Sequence, residues 1–176
     1  NLEARANALF TPIETRYLAL RDLAQAQPDR PTVLLGNIVG DGTSFRSREP
    51  ERLDSVLVQD AGGTLILETA DLPFERAFIG IDYDLESVFE LASDADFWFG
   101  MHYEPAEQTA AEFIETQPLN ANFTALANGN LFHRFGRGED YFATGGLYVD
   151  LILRDMISIL QAIKAAGALQ ADIEVM

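Results

Sequence analysis

Apolar positions three and four apart run through the first 25 residues. Leu2, Ala6, Leu9, Ile13, Tyr17, Leu20 and Ala24 fall on one face, which predicts a helix over residues 2–25. Pro12 follows a capping hydroxyl, Thr11, and suits a first helical position, so a kink or restart is expected there. The pattern then changes period. Thr32-Val-Leu-Leu-Gly36 is a short continuous apolar run, the look of a buried parallel strand. Residues 37–49 are polar and glycine-bearing and read as a loop carrying Phe45, Arg46 and Arg48. Residues 51–61 form the next helix, stopped by Gly62-Gly63. A second strand is predicted at 65–68, and 70–81 reads as irregular. Asp84 caps a helix through Ala92, and Ala95-Asp-Phe-Trp-Phe-Gly100 is a third strand. Helices are predicted over 104–116 and 118–127, each opened by a proline. Asn128-Gly129 is a turn, 130–134 a fourth strand and 147–166 a last helix.

Strands alternate with helices through connections too long for hairpins. That pattern predicts an α/β fold, a three-layer sandwich with a mostly parallel, Rossmann-like sheet of four to five strands covered by helices. In such sheets ligands sit beyond the carboxyl ends of the strands. The segments leaving those ends are 37–49, 69–81, 101–104 and 135–146. Three of them hold an arginine and the other holds His102 beside Tyr103. The chain has only 12 basic residues, so this placement carries weight.

A length of 176 residues suits one domain, and about 70% of its extended-chain surface would be buried without help from a staple. The absence of cysteine excludes disulfides, thiol catalysis and thiolate-bound metals. A net charge of −16 repels nucleic acid and anionic membranes, so no nucleic-acid partner and no direct membrane insertion is expected. No apolar run approaches the ~20 residues of a membrane span, and no stretch reads as a signal peptide, which says little about where a longer parent resides. The chain starts at Asn1 inside a helical pattern, which points to a piece of a longer protein.

Catalytic signatures are missing. The glycines from Gly36 to Gly42 have neither the dinucleotide nor the P-loop spacing, and Ser44 and Ser47 sit in no nucleophile elbow. His102 and His133 are far apart in sequence and form no His-x-x-x-His pair, so a metal site would have to combine both across the sheet end with carboxylates; His133 reads more simply as a hydrogen-bonded strand residue. Asp94 and Asp96 flank the turn into the third strand and read as solvating and capping it. Binding fits better. Arg46, Arg48, Arg134 and Arg137 offer forked donors to carboxylate, phenolate or phosphate oxygens. Phe45, Tyr103, Tyr141 and Phe142 offer flat apolar walls. The blander reading makes these surface arginines paired with abundant acids, and aromatics packed under loops. Glu86, in the first turn after the Asp84 cap, suits the positive end of the helix dipole.

Several segments, in order, resemble one family. Pro31-Thr-Val-Leu-Leu-Gly36, a loop with an aromatic, and a helix ending Gln59-Asp-Ala-Gly-Gly63 are similar to the carboxyl lobe of periplasmic substrate-binding proteins of ABC transporters. The group in question joins two lobes by a rigid helix and binds ferric siderophores, haem or cobalamin. The stretch from Asp84 to Trp98 resembles its helix-then-strand segment, and Asn128-Gly-Asn-Leu-Phe132 its late turn and strand. Glu139-Asp-Tyr-Phe142 and the helix after it resemble its closing loop and final helix.

The resemblance implies that residues 1–25 end the inter-lobe helix and that 26–176 are the carboxyl-terminal lobe, with the amino-terminal lobe outside this chain. It implies an iron chelate bound in the inter-lobe cleft, no cofactor, no enzymatic activity, and a periplasmic or extracytoplasmic site of action, with or without a lipid anchor in the full-length parent. Phe45 matches the region where the family places an aromatic, Tyr141 and Phe142 match closing-loop aromatics, and Glu86 matches the acid that docks on an arginine of the inner-membrane permease. Arg46 and Arg48 suggest an anionic cargo such as a carboxylate or catecholate siderophore. The alternatives are a small-molecule enzyme or sensor on the same fold, using His102 and nearby acids, and a dimerising adaptor domain.

Overall fold

The structure is a computed structural model and describes residues 1–40, 42–100, 110–133 and 145–174. The chain divides into two compact units. One comprises Asn1–Arg30, Leu57–Gly63 and Asp140–Met176, the other Pro31–Val56 and Thr64–Glu139.

The first unit is helical. Helix α1 (Leu2–Gln25) runs unbroken through Pro12, where a kink or restart was expected, and packs on α6 (Val149–Glu174). The sequence pattern ended α6 eight residues early, at 166 rather than Glu174. Leu153, Ile157 and Leu160 lie four and three apart on α6 and are buried, as a helix burying one face requires. Arg16 Nε donates to the buried Asp150 carboxylate at 2.6 Å, and the Tyr17 hydroxyl donates to Asp60 at 2.5 Å. The Gln25 amide donates to the Gln59 carbonyl at 2.6 Å and so ties the end of α1 to the end of α2 (Leu53–Asp60).

The second unit holds the sheet. Strands β1 (Thr32–Leu35), β4 (Thr64–Leu65), β7 (Phe97–Gly100) and β8 (Leu131–His133) pair in the order β4-β1-β7-β8, all parallel. This is the predicted α/β sheet. Helices α3 (Leu85–Ala92), α4 (Ala110–Thr116) and α5 (Thr124–Ala127) and a 3-10 turn (Pro118–Asn122) complete it. Trp98 is the core anchor. Its ring lies 4.8 Å from that of Phe123, 5.2 Å from Phe113 and 5.9 Å from Phe45, and its indole N–H donates to the Gly36 carbonyl at 2.9 Å. Successive strand residues point to opposite faces, so Phe97 and Phe99 stack with Phe132 rather than joining Trp98.

Asp96 does more than cap a turn. Its carboxylate accepts both the backbone N–H and the hydroxyl of Thr32 at 2.8 Å, fixing the start of β1 beside β7. Asp84 caps α3 as predicted, accepting from the Ser87 N–H at 2.9 Å.

A second sheet departs from the sequence pattern. Strands β2 (Asn37–Val39), β3 (Ser44–Ser47), β5 (Phe74–Arg76) and β6 (Ile81–Asp84) pair antiparallel in the order β2-β3-β6-β5. The stretches expected as loop and irregular chain therefore form strands. The segment expected as a strand at 65–68 is mostly a 3-10 turn (Ile66–Thr69).

Candidate functional site

The carboxyl ends of β1 and β4 and the inner side of the antiparallel sheet enclose a cavity of about 210 Å³. Val33, Leu35, Leu65 and Leu67 form its apolar floor. Period-two alternation along β3 turns Phe45 and Ser47 inward and Ser44 and Arg46 the other way. Ser47 thereby reaches the cavity, where its hydroxyl donates to the Leu35 carbonyl at 2.7 Å.

Three charged side chains line the cavity: Arg48, Glu68 and Asp71. The Arg48 side chain is only 7% exposed, with Nε 3.8 Å from Asp54. A guanidinium held this far from water depends on nearby carboxylates to stay in place. Ser55, from the first turn of α2, also lines the cavity. It is 1% exposed and its Oγ has no hydrogen-bond partner. Such an unsatisfied hydroxyl costs about 1–3 kcal/mol. The mouth carries two rings, Phe74 and Tyr83, whose centroids lie 6.2 Å apart at 56°. Burial pushes the Tyr83 phenol above its ordinary pKa, and the negative charge of Glu68 adds to the shift.

The residues predicted from sequence are distributed unevenly. Arg48 lines the cavity. Phe45 does not offer a wall to a ligand: it is fully buried in the core against Trp98, because its place on β3 faces it inward. Arg46 makes a two-pronged contact with Asp82, its partner across β3 and β6. Hydrogen bonding to Asp82 raises the Arg46 pKa despite some desolvation. Glu86 is exposed in the first turn of α3. His102, Tyr103, Arg134, Arg137, Tyr141 and Phe142 lie outside the described residues.

Sequence reasoning missed Ser47, Ser55, Glu68, Asp71, Phe74 and Tyr83. A signal for the aromatics existed in the apolar–polar alternation of Ile81-Asp-Tyr-Asp84 after Phe74-Glu-Arg76. Among the described residues no group of three His, Cys, Asp or Glu side chains converges as a metal site, and no helix is long and apolar enough to cross a membrane.

Comparison with solved structures gives three informative matches. An ABC-type Fe3+-hydroxamate transport protein from Saccharomonospora viridis DSM 43017 superposes on 89% of the chain, with TM-score 0.60 and 19% identity. The TroA-like periplasmic binding protein FepB from Veillonella parvula superposes on 90%, with TM-score 0.62 and 16% identity. S. aureus IsdE complexed with heme superposes on 89%, with TM-score 0.62 and 16% identity. The chain has the fold of ABC-type substrate-binding proteins. It spans only 49%, 47% and 57% of these three chains, about half of each. No protein-family model matches the chain. A 23-residue stretch is 96% identical to the Flagellar P-ring protein of Caulobacter vibrioides (strain ATCC 19089 / CIP 103742 / CB 15), covering 13% of this chain and 6% of that protein.

Proposed function

We propose that the chain is the carboxyl-terminal lobe of an extracytoplasmic substrate-binding protein that delivers an iron chelate to an ABC permease. In this reading residues 1–25 end the inter-lobe helix and residues 26–176 carry one side of the cargo cleft. The supporting observation is the fold. About nine-tenths of the chain superposes on about half of binding proteins described for Fe3+-hydroxamate or heme. The cavity adds to this support, because it opens at the strand ends where ligands of parallel sheets bind. Arg46, Arg48, His102, Tyr103, Arg134, Arg137, Tyr141 and Phe142 are the proposed cleft residues. Glu86 is proposed to dock on a permease arginine, an exposed charge contact that guides encounter more than affinity.

The test is mass spectrometry of what copurifies with the full-length parent from iron-starved cells, followed by titration of the iron-loaded and iron-free forms. An intact ferric chelate that raises the melting temperature, where the iron-free form does not, is the expected result. Recovery of a chemically altered product, or no response to ferric hydroxamate, catecholate or heme, sinks the reading.

A further inference from the structure

The cavity offers a guest apolar surface and little else. Phe74 and Tyr83 are directly opposite across β5 and β6, so both rings stand on one face of that sheet, and Ile81 follows on the same face two residues before Tyr83. Phe74 is 54% exposed, an apolar ring at the mouth that a guest would cover. The polar groups of the lining are engaged or out of reach. The Ser47 hydroxyl donates to the Leu35 carbonyl, and the Ser55 Oγ is sealed within the wall. Arg48 lies 3.8 Å from Asp54, and Arg48, Asp54 and Glu68 each have further partners in the chain. Asp71 is exposed, where an ion pair is worth little. A charged guest would therefore shed water and gain no free counter-charge inside. At about 210 Å³ the space exceeds the ~150 Å³ of an apolar cavity that holds benzene. It is below the roughly 300–1,000 Å³ of pockets that hold whole drug-sized ligands. It suits a single ring.

We propose that this cavity is a subsite for one uncharged aromatic ring, packed against Phe74 and Tyr83 and over Leu65 and Leu67. The two mouth rings are tilted at 56° with centroids 6.2 Å apart, and a third ring adds edge-to-face or offset contacts of the same kind. Aromatic contacts of this geometry distinguish a flat ring from a saturated one of similar size. The inference rests on the transport reading only for what carries the ring: there, the cargo is a chelate with an uncharged aryl arm.

Amide chemical shifts of the 176-residue chain are followed during separate titrations with benzyl alcohol, cyclohexylmethanol, benzylammonium and benzoate. Benzyl alcohol should give saturable shifts at Leu65, Leu67, Phe74 and Tyr83. Cyclohexylmethanol should bind more weakly, and the two ions roughly tenfold more weakly, since each carries a charge into an apolar space. Phe74→Leu keeps an apolar side chain at the mouth and removes the ring, so it should weaken benzyl alcohol roughly two- to tenfold, the worth of one aromatic contact. Phe78→Ala is the control: Phe78 is fully exposed on the same hairpin and does not line the cavity, so binding should be unchanged. No saturable shift with benzyl alcohol, equal binding of cyclohexylmethanol or of either ion, or an equal loss in Phe78→Ala overturns the inference. In the full-length parent, a linear ferric tris-hydroxamate with an N-benzoyl cap should bind more tightly than its N-acetyl counterpart. Equal affinity for the two chelates would overturn the aryl arm and leave the transport reading intact. Binding of benzyl alcohol with no binding of either chelate would support the subsite and count against the transport reading.

Discussion

Arg46 and Asp82 face each other across β3 and β6 through two parallel hydrogen bonds, Nε to Oδ1 at 2.6 Å and Nη2 to Oδ2 at 2.7 Å. The fork of a guanidinium matches a carboxylate in this way, which fixes direction as well as distance. Both side chains keep some water contact, at 40% and 25% exposed, so the stabilisation is modest. A double-mutant cycle of Arg46→Ala and Asp82→Ala, read by urea unfolding, should give a coupling of about 0.5–1 kcal/mol. The coupling should shrink in 1 M salt. A value near zero at low salt would mean that backbone pairing alone holds β3 on β6.

Gly36, between β1 and β2, lies close against β3. Its φ is 144°, and a Cβ there would collide with the Arg46 carbonyl and the Phe45 ring. Gly36→Ala should therefore destabilise by about 1–3 kcal/mol from backbone conformation alone, with the collision adding to it. Gly129→Ala is the matched control. Its φ is 73° but the space around it is open, so about 1–2 kcal/mol is expected. Thermal unfolding distinguishes the two, and equal losses would contradict the collision.

The parallel sheet was legible in the sequence because its strands are apolar on both faces. Thr32-Val-Leu-Leu35 and Phe97-Trp-Phe-Gly100 needed only length and composition to be recognised, and Asp84 announced α3 through its capping chemistry. The antiparallel sheet was hidden for a physical reason. Its strands are three or four residues long and half polar, as in Ser44-Phe-Arg-Ser47, so their stability comes from cross-strand pairs that no local window contains. The same blindness hid the surroundings of two of the proposed ligand residues. Phe45 and Arg46 looked like loop residues available to a ligand, whereas strand alternation sends one into the core and pairs the other with Asp82. Ser55 gave no warning, since a serine in the first turn of a helix is commonplace until its burial is seen.

The docking role proposed for Glu86 can be tested apart from cargo binding. The residue is exposed, so Glu86→Arg should change the stability of the chain by no more than about 0.5 kcal/mol. Some of that change comes from placing a cation near the positive end of α3. Cargo affinity of the full-length parent should be unchanged while uptake by whole cells falls. Normal uptake by this variant would remove Glu86 from the permease contact.

Tyr17 makes the helical unit sensitive to alkali. Its hydroxyl donates to Asp60 at 2.5 Å, and its pKa is raised well above the ordinary 10.0 by burial first, then by the hydrogen bond and charge of Asp60. In the unfolded chain the phenol ionises near its ordinary value, while in the folded chain it keeps its proton. Above pH 10 the unfolded state therefore binds fewer protons than the folded one, and stability falls as pH rises. The contribution of Tyr17 is fully present below pH 10 and is lost between there and its raised folded-state value. Tyr83 shifts in the same direction through burial, so part of the alkaline loss is independent of Tyr17. Tyr17→Phe should be less stable than the wild type by about 0.5–1.5 kcal/mol at pH 8, the worth of one hydrogen bond. The difference should narrow steadily between pH 10 and 11.5 as the wild type loses its advantage. Urea midpoints measured across that range decide the matter: parallel curves for the two proteins would mean that the Tyr17–Asp60 bond does not control the alkaline limb.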